Sequence, residues 1–421
     1  TVDQLDYAAR DVSYLHDLAG VVEHKLEIAG LDDVWHLEKE LLPYIIDIEE
    51  SGVSVDRDKL TRIAAEQTLV AERIAGELRA VLGAPDLNLA SPVKLLAALR
   101  ATGLDLKSTR EEELKCCDEG VTIPLLLAHR EAIKRLQQAE ALRDHIGPDG
   151  RIHARFEPTG TVTGRFSSKD PSLQNIARGE LREAFTPRQG CKLIVADYSQ
   201  VELRAAAAVA GETKMIAAYK SGADLHRLTA ANVLGKAECD VTKEDRQLAK
   251  AVNFGLLYGQ TAQGLVRYAA AAYGVRLEED QSRAIRAAFF RTYTRLRQWH
   301  GESHNRAERG VTEVRTRMGR RRLVPESASS WERFTALVNT PVQGGTADGM
   351  KRAIILVSQR LPQTARIIST VHDELIVECP DDLAEECGII VSEAMVEAMA
   401  KLYPEVPIEV EANICENWGE K

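Results

Sequence analysis

Asp197 closes a short apolar run, Lys192-Leu-Ile-Val-Ala196, and Asp373 stands between two strand-like runs 176 residues later. Either acid alone is what a turn or helix cap ordinarily uses. On adjacent strands of one sheet they become paired carboxylates. Mg²⁺ takes one or two such hard oxygen donors and completes its shell with substrate phosphates. Two ions about 4 Å apart clamp the attacking and leaving oxygens of an in-line displacement. Glu202 and Glu374 add further acids nearby.

A second constellation is Arg246, Lys250, Phe254 and Tyr258, which recur every four residues. On a helix they share one slowly drifting face that reads cation, cation, ring, ring. A nucleoside triphosphate offers the matching order of charged tail, sugar and stackable base. Gly255 and Gly259 weaken this helix, and glycine there lets a ligand or backbone approach closely. Polar, turn-forming segments follow the same theme: Thr163–Ser168, Asp170–Asn175, and Asn339 with Gln343 ahead of Gly344-Gly345. Arg165, Asn339 and Gln343 suit minor-groove acceptors, which are nearly independent of base sequence.

The elements that must position these residues are legible from periodicity. Val34–Glu50 carries Leu37, Leu41, Ile45 and Ile48 at helical spacing,. Helices are predicted from Asp58 to Leu82, around Pro92–Leu99, and from Ile123 to Ile146, with a boundary at Gly147-Pro148-Asp149-Gly150,. Lys192–Ala196 reads as a buried strand; Ile367–Val371 and Leu375–Glu378 read as a hairpin turning at the acids,. The fold class is α+β.

The 421 residues allow two to four domains,. No run nears the roughly 18 apolar residues of a membrane helix, so no membrane association is expected. Seven cysteines without C-x-x-C spacing read as reduced thiols of a cytoplasmic protein,. The net charge of −10 sits entirely in residues 1–60, which hold 15 acids and 5 bases; the remainder has 49 of each. Residues 281–322 hold 12 arginines against three acids. That bias favours phosphate recognition, because the guanidinium fork matches phosphate oxygens.

Together these segments resemble DNA polymerase family A, over roughly residues 36–421. Asp197-Tyr-Ser-Gln-Val-Glu-Leu-Arg204 is similar to its first palm motif and His372-Asp373-Glu374 to its second. Arg246-x3-Lys250-x3-Phe254-x3-Tyr258-Gly259 is similar to its fingers motif, and Thr163–Ser168 with Asp170–Asn175 to its primer-template region. The resemblance implies a right-hand polymerase fold with a palm sheet and helical fingers and thumb. Its divisions would be an exonuclease-like remnant over 1–34, thumb and connecting helices over 35–150, palm over 151–210, fingers over 211–335 and palm again over 336–421. It implies a template-directed DNA polymerase of replication or repair, with copying of RNA templates as the alternative.

By the same resemblance Asp197, Asp373 and the Tyr198 carbonyl would bind two Mg²⁺ ions, with Mn²⁺ able to substitute. Lys250 would neutralise phosphates and donate a proton; Arg246 and His226 would hold the outer phosphates. Phe254 would pack on the sugar, Tyr258 lie near the nascent pair, and Glu202 crowd the ribose 2′ position. Arg165, Gln174, Asn175, Asn339, Gln343 and His372 would meet primer-template DNA, and deoxynucleoside triphosphates would be the substrate of a monomer. Tyr7-x3-Asp11 resembles the last motif of a 3′–5′ exonuclease whose earlier acidic motifs are absent, so no proofreading is expected. Thr335 replaces the arginine usual in the family.

Overall fold

Four antiparallel strands form the sheet that delivers both aspartates. In a computed structural model, which describes residues 1–117 and 120–421, their order is Val410–Cys415, Cys191–Tyr198, Glu374–Pro380, Arg366–Val371. The two central strands are almost continuously buried, with Leu193, Ile194, Val195, Ala196, Leu375 and Val377 fully shielded. Covering both faces of a sheet in this way favours unbroken apolar runs over alternation. The cover comes from helices Asp32–Ser51, Gly345–Arg360 and Ala384–Ala400, which pack on the strands and on one another.

The predicted helices form with shifts of one or two residues at their ends: Arg57–Val81, Pro92–Ala101 and Thr122–Asp144. Asp56 and Ser91 cap the first two by accepting from the backbone N–H of Lys59 and Lys94,. Helices Arg57–Val81 and Thr122–Asp144 run along each other and end on a separate core of Leu78, Leu95, Leu99, Leu106, Leu114 and Leu126. Helix Val2–Ser13, which carries Tyr7 and Asp11, is exposed throughout.

A buried ionic network ties three elements together. Asp348, fully buried on helix Gly345–Arg360, accepts from Arg320 Nε at 2.6 Å and from Thr316 Oγ1 at 2.7 Å. Glu38, on helix Asp32–Ser51, takes both Arg320 and the fully buried Lys351. Breaking such a pair strands a charge without solvent, which costs more than the pair contributes. Asp348→Ala is therefore expected to lower unfolding free energy by roughly 3–5 kcal/mol, read from the urea midpoint. Thr316→Val, which leaves the ion pairs intact, should cost less, about 1.5–3 kcal/mol for a hydrogen bond to a charged group.

Candidate active site

Register decides where the two carboxylates meet. Asp197 pairs across the sheet with Glu374 on one side and Glu411 on the other. Asp373 lies one residue before Glu374, in the two-residue turn His372–Asp373, and its carbonyl accepts from Tyr198 N–H at 3.2 Å. The turn needs a φ of +57° at His372, costing roughly 1–2 kcal/mol for a residue with a Cβ. Gln174 secures it: the side-chain amide donates to the Thr370 carbonyl and accepts from His372 N–H, each at 3.0 Å. Gln174, expected at DNA, is thus a buried clamp on the hairpin that carries Asp373.

Burial, together with the charge of Asp197, pushes the Asp373 carboxyl above its ordinary value. Asp373 forms no ion pair among the described residues. Asp197 Oδ2 lies 2.7 Å from Lys421 Nζ, which also sits 3.1 Å from Glu374 Oε2. Glu374 is buried and accepts from Trp418 Nε1 at 2.6 Å. Among the described residues no group of three or more His, Cys, Asp or Glu gathers as a closed metal cage. Two acids, one already attracting a cation, instead fit a hard divalent ion that brings further oxygens with its substrate.

Beside the acids lies a cavity of about 230 Å³ lined by Arg165, Tyr198, Glu202, His372 and Asp373 among others. Glu202, in the first turn of helix Val201–Ala210, accepts from both Arg165 and the Tyr258 hydroxyl. Tyr258 caps helix Lys243–Leu257, so this carboxylate couples that helix to helix Val201–Ala210. The helix presents Arg246, Lys250, Phe254 and Tyr258 half-buried on one face while Ala249, Val252, Asn253 and Leu256 are buried. Arg246 is held by Asp224 at 2.6 Å. Lys250 forms no ion pair among the described residues.

Other expected residues are placed differently. His226 is buried, faces Asn253 through Nδ1 at 2.9 Å, and lies 6.2 Å from the Phe254 ring. Burial drives it down to about 4, so it is neutral at pH 7. Asn339 keeps a buried side-chain oxygen without a partner among the described residues, Gln343 is half-buried beside Tyr258, and Asn175 is exposed. Gly255 and Gly259 serve packing rather than a ligand. A Cβ at Gly255 would come within 2.9 Å of Leu265 Cδ1, and one at Gly259 would collide with Phe334. The arginine-rich run is likewise divided. Arg315, Arg317 and Arg320 are spent on Glu313, Glu405 and Asp348. Arg286, Arg291 and Arg297 meet no acid among the described residues and line a groove of about 870 Å³ with His304, Trp331 and Phe334.

The sequence profile of DNA polymerase family A matches residues 57–420. The chain belongs to DNA polymerase family A. It is 33% identical over 442 residues to DNA polymerase I of Aquifex aeolicus, covering 99% of this chain and 75% of that protein. It is 34% identical over 447 residues to DNA polymerase I of Pseudomonas aeruginosa, covering 98% of this chain and 47% of that protein. A solved structure, the POL domain of Pol1 from M. smegmatis in complex with DNA primer-template and dNTP, superposes with a TM-score of 0.87. That match has 29% identity and covers 96% of this chain and 74% of the other. Family A comprises DNA-directed DNA polymerases with a right-hand fold that use a divalent metal, so the RNA-template alternative is set aside.

Sequence reasoning missed Lys421, Trp418 and Arg182, which gather on Glu374 from the chain's last turn and from residues 180–183. Only a tryptophan isolated among polar residues signalled that the tail is docked. The buried histidines make a solution prediction. His226 and His300 both fall to about 4 through burial, below the 6.5 of an unfolded histidine. As pH drops from 6.5 towards 4 the unfolded chain gains protons that the folded one refuses. Stability is therefore lost over that window, on the order of 2–3 kcal/mol per histidine. Chemical unfolding at stepped pH should show this decline, and His226→Gln should remove about half of it.

Proposed function

We propose that this chain extends a primer 3′ end with deoxynucleoside triphosphates under the direction of a DNA template, in replication or repair. The observation that carries this reading is the convergence of Asp197 and Asp373 beside Glu202, which lies in the helix following the Asp197 strand and is held by Arg165 and by Tyr258 of the fingers helix. One element thereby ties the nucleotide-facing helix to the acids that must lie next to the reacting phosphate. The division into thumb, palm, fingers and second palm over residues 35–150, 151–210, 211–335 and 336–421 accords with this. It places one sheet strand in the first palm segment and three in the second.

Mg²⁺ is the metal best suited to Asp197, Asp373 and the Tyr198 carbonyl, and it would supply Lewis-acid stabilisation of the transferring phosphoryl group. The chain's own residues do the rest. Lys250, which forms no ion pair among the described residues, lies on the face that reads the triphosphate; it neutralises the tail and protonates the leaving pyrophosphate. Arg246 shares its guanidinium between Asp224 and the outer phosphates. His226, being neutral, contributes a hydrogen bond there rather than a charge. Phe254 packs on the sugar, and Glu202, held by two donors, fills the space a 2′ hydroxyl would need. Arg165, Asn339, Gln343, His372 and the exposed Asn175 meet the primer-template duplex, with Gln174 setting the turn behind His372. The acid-free arginines Arg286, Arg291 and Arg297 offer phosphate contacts on the fingers,.

Primer extension on a DNA template with Mg²⁺ tests the reading. Deoxynucleotides should be incorporated and ribonucleotides largely refused, and Asp373→Ala should reduce extension to background. Lys250→Ala should slow single-turnover incorporation by about 10²- to 10⁴-fold, the range for a lost general acid. Glu202→Ala should admit ribonucleotides. Tight primer-template binding by a wild-type protein that extends nothing would contradict the enzyme reading. A double Arg286→Ala, Arg297→Ala variant should flatten the log–log salt dependence of primer-template binding by about 2, one per lost phosphate contact.

A further inference from the structure

Two acids placed side by side need a counter-charge before any metal arrives, and the chain carries one of its own. Lys421 Nζ lies between Asp197 Oδ2 at 2.7 Å and Glu374 Oε2 at 3.1 Å, with its side chain 16% exposed. Its position is built. Trp418, three residues earlier, is buried, and its backbone N–H donates to the Phe185 carbonyl at 3.0 Å. The Trp418 indole meets Phe185 edge-on at 5.2 Å and takes the Arg182 guanidinium on its face at 4.1 Å. Indole Nε1 donates to Glu374 at 2.6 Å. Gly419 lies so close to residues 180–183 that a Cβ there would stand 2.9 Å from Glu183 N. The turn is tightened further by Glu420, which accepts from Asn417 Nδ2 at 2.9 Å and from Glu416 N–H at 2.7 Å. The last turn is thus seated on the palm, with the lysine aimed at the acids.

We infer that Lys421 is a built-in counter-cation that occupies the Asp197 carboxylate in the metal-free enzyme and must be displaced when the metal binds. An ammonium on a flexible four-carbon stem is a compact point charge that can leave one oxygen while keeping another. A divalent ion on Asp197 repels it at close range. Glu374, already fixed by Trp418, offers the site to which it retreats. The consequence has a definite sign: the lysine holds the acids together without metal and competes with metal for them. Removing it therefore tightens metal binding, whereas a residue that merely shaped the site would weaken binding when removed. Lys421 is in this sense a positioning residue, and it rests on the reading of Asp197 as a metal ligand.

Mn²⁺ binding to the DNA-free protein, followed by electron paramagnetic resonance of the free ion, tests this without turnover. Lys421→Met should bind Mn²⁺ about three- to ten-fold more tightly, the size of a partly buried ion pair. Its melting temperature in chelator should fall while the rise on adding Mn²⁺ grows. Lys421→Arg, which keeps the charge, should stay near wild type, and Lys421→Gln replaces the Met variant if that does not fold. Unchanged or weaker Mn²⁺ binding without the lysine would overturn the inference. An Asp197→Ala control separates the two readings. If it leaves Mn²⁺ binding intact the metal site itself is misassigned; if it abolishes binding while Lys421→Met has no effect, only the role of Lys421 fails.

Discussion

Two carboxylates repel each other, and the rest of this structure is arranged so that Asp197 and Asp373 cannot separate. Antiparallel pairing fixes Asp197 opposite Glu374 and therefore beside the turn that holds Asp373. Moving the strand by one residue would turn Asp197 to the other face. Register is enforced by the apolar content of the two central strands, whose side chains are buried on both faces. The hairpin turn is held against its own backbone preference by Gln174. Sites that retain such strain and like-charge crowding give up stability for function.

The same economy extends outward. Glu202 joins helix Val201–Ala210 to helix Lys243–Leu257, Asp224 both caps helix Leu225–Leu234 and holds Arg246, and Glu374 gathers Arg182, Trp418 and Lys421. Each acid does two tasks, one structural and one facing the site. Helix Lys243–Leu257 depends on its far side as well. Gly255 admits the neighbouring helix Ala262–Tyr273, so the cationic face is presented by close packing behind it.

Much of this was legible in the sequence, for physical reasons. Short apolar-rich runs ending at Asp197 and flanking Asp373 read as buried strands, and the four-residue spacing from Arg246 to Tyr258 read as one helix face,. What escaped the sequence reading was pairing across distance. Nothing local told that Gln174 would grip Thr370 and His372 some 196 and 198 residues away, or that His226 would be sealed against Asn253. Arginine density overstated phosphate contact, because Arg315, Arg317 and Arg320 found acids that lie remote in sequence or on the same hairpin. Composition reports charge; only the fold reports which charges are already satisfied.

Asp197 and Asp373 together, and no other acids, are proposed to hold the catalytic metal. Anomalous diffraction from crystals of this chain with primer-template DNA, a non-hydrolysable deoxynucleotide and Mn²⁺ tests it most directly. Anomalous peaks held by both carboxylates are expected, with Lys421 withdrawn from Asp197. Peaks coordinated by Glu202 or Glu411 in place of either aspartate would contradict it.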